Sequence, residues 1–223
     1  MIDVKLIDKM GSDLTVVNAA RVSFANKHEE FNDTKDTKLI GFLAKHGHWS
    51  PFAHCSMQFH IRAPIFVARQ LVKHQVGLSW NEISRRYVDT EVEFYEPEVW
   101  RGKADDKKQG SSDDVIDINP RDDMVNDYQQ AIRSTKWTYE ELLRKGVAPE
   151  QARMVLPQSM ITEWYWSGTL YAFARVCNLR LHETAQEETR LVANKISQRA
   201  RKAFPVCWKA LLEEQEEHGN DGN

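Results

Sequence analysis

The strongest constraint on the fold lies between His54 and Arg62. Cys55, Met57, Phe59 and Ile61 are apolar, and His54, Ser56, Gln58, His60 and Arg62 between them are polar. That is period two, the pattern of a β-strand with one buried face. Pro64 then suits the first turn of a helix, because its missing N–H is no loss there. Ile65, Phe66, Ala68, Leu71 and Val72 carry that helix to about His74.

The rest of the chain reads as helix with a few strands. Val4 to Ile7 suits a short strand, and Thr15 to Phe24 a helix or strand followed by a loop. Thr37 to Lys45 is helical, with Gly47 just past its end. Gln75 to Tyr87 breaks the period with Gly77, Ser79, Asn81 and Ser84, and reads as a loop. Lys103 to Asp117 is polar and low in complexity, which suggests a mobile surface insertion. Asp122 to Lys145 is a long helix stopped by Gly146, and Pro149 to Met154 a short one ended by Pro157. Ser159 to Trp166 suits a strand, Leu170 to Leu181 and Ala185 to Phe204 helices, and the tail from about 217 to 223 is expected to fray. The expected fold is α+β: one helix-rich domain over residues 1–223 with a small, mostly antiparallel sheet.

At 223 residues the chain is long enough to bury a core without a metal or disulfide staple. No apolar run approaches 18 residues, which excludes a membrane-spanning helix. MIDVKLIDKM lacks the apolar stretch of a secretory leader, so the expected place is the cytoplasm, or a host's cytoplasm for a viral source. Thirty Lys+Arg face 33 Asp+Glu, a formal charge of −3, which argues against a nucleic-acid binder. From Arg62 to Arg86, however, five basic residues accompany one acid, Glu82. Such a local cationic stretch in a mildly acidic chain suits a discrete anion such as a phosphate.

Cys55, Cys177 and Cys207 are odd in number and widely spaced, without a CxxC. Reduced thiols fit better than a disulfide framework, and no metal site is expected. There is no GxGxxG, no GxxxxGK[ST] and no GxSxG, so the dinucleotide fold, the P-loop and the nucleophile elbow are set aside.

What remains is Lys73-His74-Gln75-Val76-Gly77-Leu78-Ser79-Trp80-Asn81-Glu82-Ile83-Ser84-Arg85-Arg86-Tyr87. Cations bracket amides and a carboxylate, groups that suit phosphate oxygens and the edge of a pyrimidine or flavin. This segment resembles the signature of the flavin-dependent thymidylate synthases, RHRxxSxNExSxRY. SPFAHCSMQFHIRAPIFVARQ, ARVSF at 20–24, QARMVLP at 151–157 and NLRLHETAQEE at 178–188 resemble family segments in the family's order. Lys73 and Gln75 stand where the family has arginines, and eight residues rather than seven separate Gln75 from Ser84.

The resemblance implies methylation of dUMP to dTMP with FAD, NADPH and methylenetetrahydrofolate, in a homotetramer with shared active sites. It implies that Arg180 contacts the uracil ring and stabilises charge there, as the catalytic residue. Gln70, Lys73, Glu82, Ser84, Arg85, Arg86 and Arg153 would join it on dUMP. Ser50, His48, Ser23, His74, Gln75, Val76, Asn81, Glu82 and Arg175 would face FAD. Two alternatives stay open: a catalytically degenerate relative, and a nucleotide- or RNA-binding module using residues 62–86.

Overall fold

A computed structural model describes residues 2–88, 91–104, 111–116 and 123–218. Its centre is a four-stranded sheet in the order β1 (Asp3–Met10), β2 (Ser56–Pro64), β6 (Ile161–Thr169), β3 (Leu78–Glu82), with every pair antiparallel. The alternating segment is β2 (Ser56–Pro64), with Met57, Phe59, Ile61 and Ala63 buried. It pairs on one side with β1 (Asp3–Met10) and on the other with β6 (Ile161–Thr169).

The strand begins two residues later than the alternation, because Ser50–His54 form a short 3₁₀ turn. Pro64 closes the strand and caps α3 (Ile65–Leu71) rather than sitting within it. The other helices are α1 (Asp13–Arg21), α2 (Asp33–Lys45), α4 (Asp123–Arg144), α5 (Pro149–Ala152), α6 (Leu170–Arg180), α7 (Glu187–Ala203) and α8 (Pro205–His218). The main core joins β1, β2 and β6 to α1, α2, α3, α6, α7 and α8. A second cluster under α4 and α5 gathers Val92, Tyr139, Ala152 and Met160.

Two expectations are corrected. The supposed loop at 75–87 contains a strand, β3 (Leu78–Glu82), on the open side of β6. Its inward face is short, so alternation hardly registers, yet Trp80 stacks on Trp164 with ring centroids 4.4 Å apart. The polar run at 103–117 is not simply a free insertion: its ends pair as β4 (Arg101–Lys103) and β5 (Ser111–Val115), while 105–110 and 117 lie outside the described residues. The expected frayed tail is still helical at 217 and 218, and 219–223 lie outside the described residues.

The start of α8 is held from far along the chain. The Asp13 carboxylate accepts hydrogen bonds from the backbone N–H of Val206 (3.2 Å) and Cys207 (3.0 Å). These are N–H groups that a helix leaves without internal partners. No helix among the described residues is long and apolar enough to cross a membrane.

Candidate functional site

β6 passes directly into α6. Thr169 caps the helix, its hydroxyl accepting from the Ala172 N–H at 3.1 Å. The loop before β3 is tied to this junction, because the Thr169 N–H donates to the Gly77 carbonyl at 3.1 Å. Gly77 has φ +76°, and a Cβ there would press on Ala172 and Thr169. The chain makes this turn with a residue that enters the left-handed region freely.

This tie sets the loop along α6, so that His74 meets the helix's last residue, Arg180. The Arg180 Nε donates to His74 Nε2 at 3.0 Å. A guanidinium can only donate, so His74 accepts at Nε2 and carries its proton on Nδ1. Burial, then the charges of Arg180 and Arg175, hold the His74 pKa below its ordinary value of 6.5, favouring the neutral ring. Burial also lowers the Arg180 pKa, but a guanidinium in a protein stays charged. Its two Nη groups have no hydrogen-bond partner among the described residues.

Arg180 opens on a cavity of about 680 Å³, shared with Arg69, Gln70, Lys73, Arg101 and Gln186. No carboxylate lines it among the described residues. Gln70 is held in place, its amide bonding Gln186 and its carbonyl accepting from the buried Thr189 hydroxyl at 3.1 Å. Arg69 and Lys73 make no ion pair among the described residues. Arg101 is engaged: Nη1 and Nη2 reach Glu187 and Glu188 at 2.9 and 2.7 Å, and Nε donates to Ser111 at 2.9 Å. The fixed positive charge and the oriented amide suit an anionic ligand with a polar ring.

A second surface lies on the exposed face of α6. Tyr171 and Arg175 stand one turn apart, and the Trp49 ring lies 6.4 Å from that of Tyr171. Trp49 runs into the 3₁₀ turn that Ser50 begins, and His48 stacks on Phe42 at 6.0 Å. Gln75 and Val76 are exposed on the loop tied to the same helix, Val76 being 74% accessible. Amide, hydroxyl and guanidinium donors beside exposed apolar and aromatic groups fit a flavin ring.

The other expected residues are placed differently. Arg153 is exposed and does not line the cationic cavity; its Nε donates to the Glu150 carbonyl at 3.4 Å. Arg86 donates to the Ser84 hydroxyl at 3.2 Å and lies over the Tyr87 ring, and Arg85 reaches the Glu91 carbonyl at 3.4 Å. Glu82 accepts from the Thr162 hydroxyl at 2.7 Å and the Trp80 indole at 3.3 Å, while Asn81 is exposed beside it on β3. Ser23 is exposed in a 3₁₀ turn after α1. Within one chain, then, Gln70, Lys73, His74 and Arg180 converge, and Ser84, Arg86 and Arg153 are not on that cavity's wall.

Sequence reasoning passed over two cavity residues, Arg101 and Gln186. Arg69, at the end of α3, was read only as one of the cations in the basic stretch from Arg62 to Arg86 and was given no ligand. The three cysteines are buried. Burial raises the Cys55 thiol to about 11 and pushes Cys177 and Cys207 higher still, so none is a ready thiolate. Among the described residues no group of His, Cys, Asp or Glu gathers to hold a metal.

A cationic cavity ending on a guanidinium, with exposed rings and donors along the same helix, suits an enzyme that takes an anionic ligand and a flat ring. Residues 5–206 match the family model described as thymidylate synthase complementing protein. The flavin-dependent thymidylate synthase of Thermus thermophilus is 40% identical over 210 residues, covering 94% of this chain and 75% of that protein. That of Kosmotoga olearia is 39% identical over 209 residues, covering 94% and 89%. The solved UMP/dUMP methylase PolB from Streptomyces cacaoi, bound with 5-Br dUMP, is similar at TM-score 0.85 and 33% identity, over 96% of this chain and 95% of that one. The chain belongs to the flavin-dependent thymidylate synthase family.

Proposed function

We propose that the protein makes dTMP from dUMP, with methylenetetrahydrofolate as carbon donor and NADPH-reduced FAD as hydride source. The observation that carries this is the Arg180 guanidinium, held by a neutral histidine at the end of a cavity lined with cations and no described carboxylate. Arg180 directs its free Nη groups to the pyrimidine and stabilises negative charge as it develops on the ring. His74 fixes the guanidinium through Nε, and its neutrality avoids a second charge beside it. Gln70, oriented by Thr189, reads a polar edge, and Lys73 takes an anionic group as a point charge rather than a fork. Gln75, Val76, Arg175 and Ser50, with His48 and Trp49 alongside, would hold the flavin, which supplies hydride when bound.

Ser84, Arg85, Arg86, Arg153 and Glu82 complete the dUMP site from a neighbouring subunit of a homotetramer. Support comes from the exposure of Glu82, Arg86 and Arg153 and from the absence of all five from this chain's own cavity wall. Asn81 and Ser23, both exposed, reach the flavin in the same way. The setting is cytoplasmic. The nucleic-acid alternative loses ground because the basic stretch is broken up: Arg62 pairs with Glu93 at 2.6 Å and Glu163 at 3.4 Å.

The test is anaerobic tritium release from C5-labelled dUMP, omitting FAD, NADPH and methylenetetrahydrofolate in turn, with labelled UMP in parallel. Release with dTMP formation that needs all three establishes the synthase. Turnover of UMP in preference to dUMP would place the chain with the methylase instead. Folded protein that binds dUMP but releases nothing would be a degenerate relative.

A further inference from the structure

A second cavity, of about 320 Å³, adjoins the cationic one. Its walls include Phe66, Tyr95, Trp100 and Tyr128, and it shares Arg101, Ser111 and Gln186 with its neighbour. The rings come from α3, from the segment between β3 and β4, and from α4. They meet edge to face in pairs, Phe66 with Tyr95 at 5.9 Å and Trp100 with Tyr128 at 5.5 Å. The Tyr128 hydroxyl donates to the Tyr95 carbonyl at 2.6 Å, which joins the two pairs. None of these four residues belongs to the nucleotide or flavin groups described above.

The polar side of this cavity is Glu188, in the first turn of α7 and only 4% exposed. Its Oε1 already accepts twice, from Arg101 Nη2 at 2.7 Å and from the Tyr95 hydroxyl at 3.4 Å. Burial and the Glu188 charge raise the Tyr95 pKa to about 12, so the phenol keeps its proton and donates. Glu188 Oε2 and the Ser159 hydroxyl, both buried and both on residues lining the cavity, have no partner among the described residues. A buried carboxylate oxygen without a donor is unfavourable, and a ligand N–H would relieve it.

We propose that this aromatic cavity is a subsite for the adenine ring of an anionic nucleotide extending over Arg101 toward the cationic cavity. A flat ring suits aromatic walls, where stacking favours a nucleobase. Adenine offers one exocyclic amine to the one unpaired oxygen and ring nitrogens to the Ser159 hydroxyl. A 2-amino-4-oxo ring, as in a folate, presents two adjacent N–H donors and pairs best with a carboxylate whose oxygens are both open. The adenine has two candidate carriers, the dinucleotide reductant and the flavin dinucleotide. That choice rests on the function proposed above, whereas the subsite does not.

Calorimetric titration of the full-length, flavin-loaded protein with AMP, NADPH, tetrahydrofolate and dUMP tests this. AMP and NADPH are expected to bind, and Trp100→Ala to weaken both by about tenfold or more. Trp100→Phe should recover most of that loss, with dUMP and tetrahydrofolate affinities unchanged throughout. In turnover, Trp100→Ala should raise the KM for NADPH while leaving kcat nearly intact. If AMP binds only flavin-free protein, and Trp100→Ala weakens FAD but not FMN, the adenine is the flavin's. AMP affinity equal in the parent and Trp100→Ala, no AMP binding in either flavin state, or a loss confined to tetrahydrofolate would overturn the subsite. Trp100-dependent AMP binding without dTMP formation would leave the subsite standing and remove the synthase reading; dTMP formation without it would do the reverse.

Discussion

Arg180 spends one nitrogen on His74 and keeps two for a ligand. Arg180→Ala should therefore lower kcat by about a hundredfold or more, the usual loss for one charge-stabilising donor, with flavin still bound in absorbance spectra. Normal turnover would remove its assigned role. His74 makes the pair sensitive to acid. Its folded pKa lies below 6.5, so the unfolded chain binds the proton first as pH falls. The stabilisation is thus present above that unfolded value and is lost as pH drops through the folded one. Protonation also sets a second positive charge beside Arg180, so kcat/KM for dUMP should show an acid limb with an apparent pKa below 6.5. In His74→Gln that limb should disappear; a limb unchanged in the variant would assign it to another group. Gln70, Lys73 and Arg180, which share one cavity, were legible as candidates because they sit in recognisable motifs. Arg101 was not, because it borders a polar run whose composition resembles a free loop and its partners, Glu187 and Glu188, lie more than eighty residues away.

Elements were legible where period and length agreed, as in β2, α4 and α7. They were not legible where the stabilising partner is remote. β3 has five residues, and what makes it a strand is the facing β6, including the Trp80–Trp164 stack. α8 went unrecognised because its cap, Asp13, is at the other end of the sequence. Asp13→Ala should cost about 0.5–2 kcal/mol, the range for a lost helix cap, read as a lower urea midpoint with an unchanged slope. The β3–β6 contact is tighter still. A Cβ at Gly168 would collide with the Leu78 side chain and the Gly77 carbonyl oxygen. Gly168→Ala should destabilise by about 1–3 kcal/mol through overpacking and lower flavin retention as the loop before β3 moves. Retention equal to that of the parent would uncouple the strand from the flavin surface.

For the whole molecule, the division of expected dUMP residues between the cavity wall and other surfaces makes a strong demand. On the proposed shared-site arrangement, the Arg180→Ala and Arg86→Ala variants should each lose most activity. Subunits mixed by denaturation and refolding in equal amounts should recover activity, with roughly a quarter of sites drawing an intact residue from each of two subunits. No recovery, with mixed assembly verified by sedimentation and mass spectrometry, would show that each chain builds its site alone. The path from Ile161 to Arg180 bears on how such a protein can change. Strand and helix follow one another without a break, and Thr169 at their junction anchors both the helix start and the neighbouring loop. The Arg180 backbone therefore takes its position from the sheet, and only the aim of its guanidinium depends, through His74, on the segment that carries Lys73 and Gln75. While His74 is kept, that segment is free to lose arginines and gain a residue, so sequence drift in the signature alters how ligands are gripped before it disturbs the charge that acts on them.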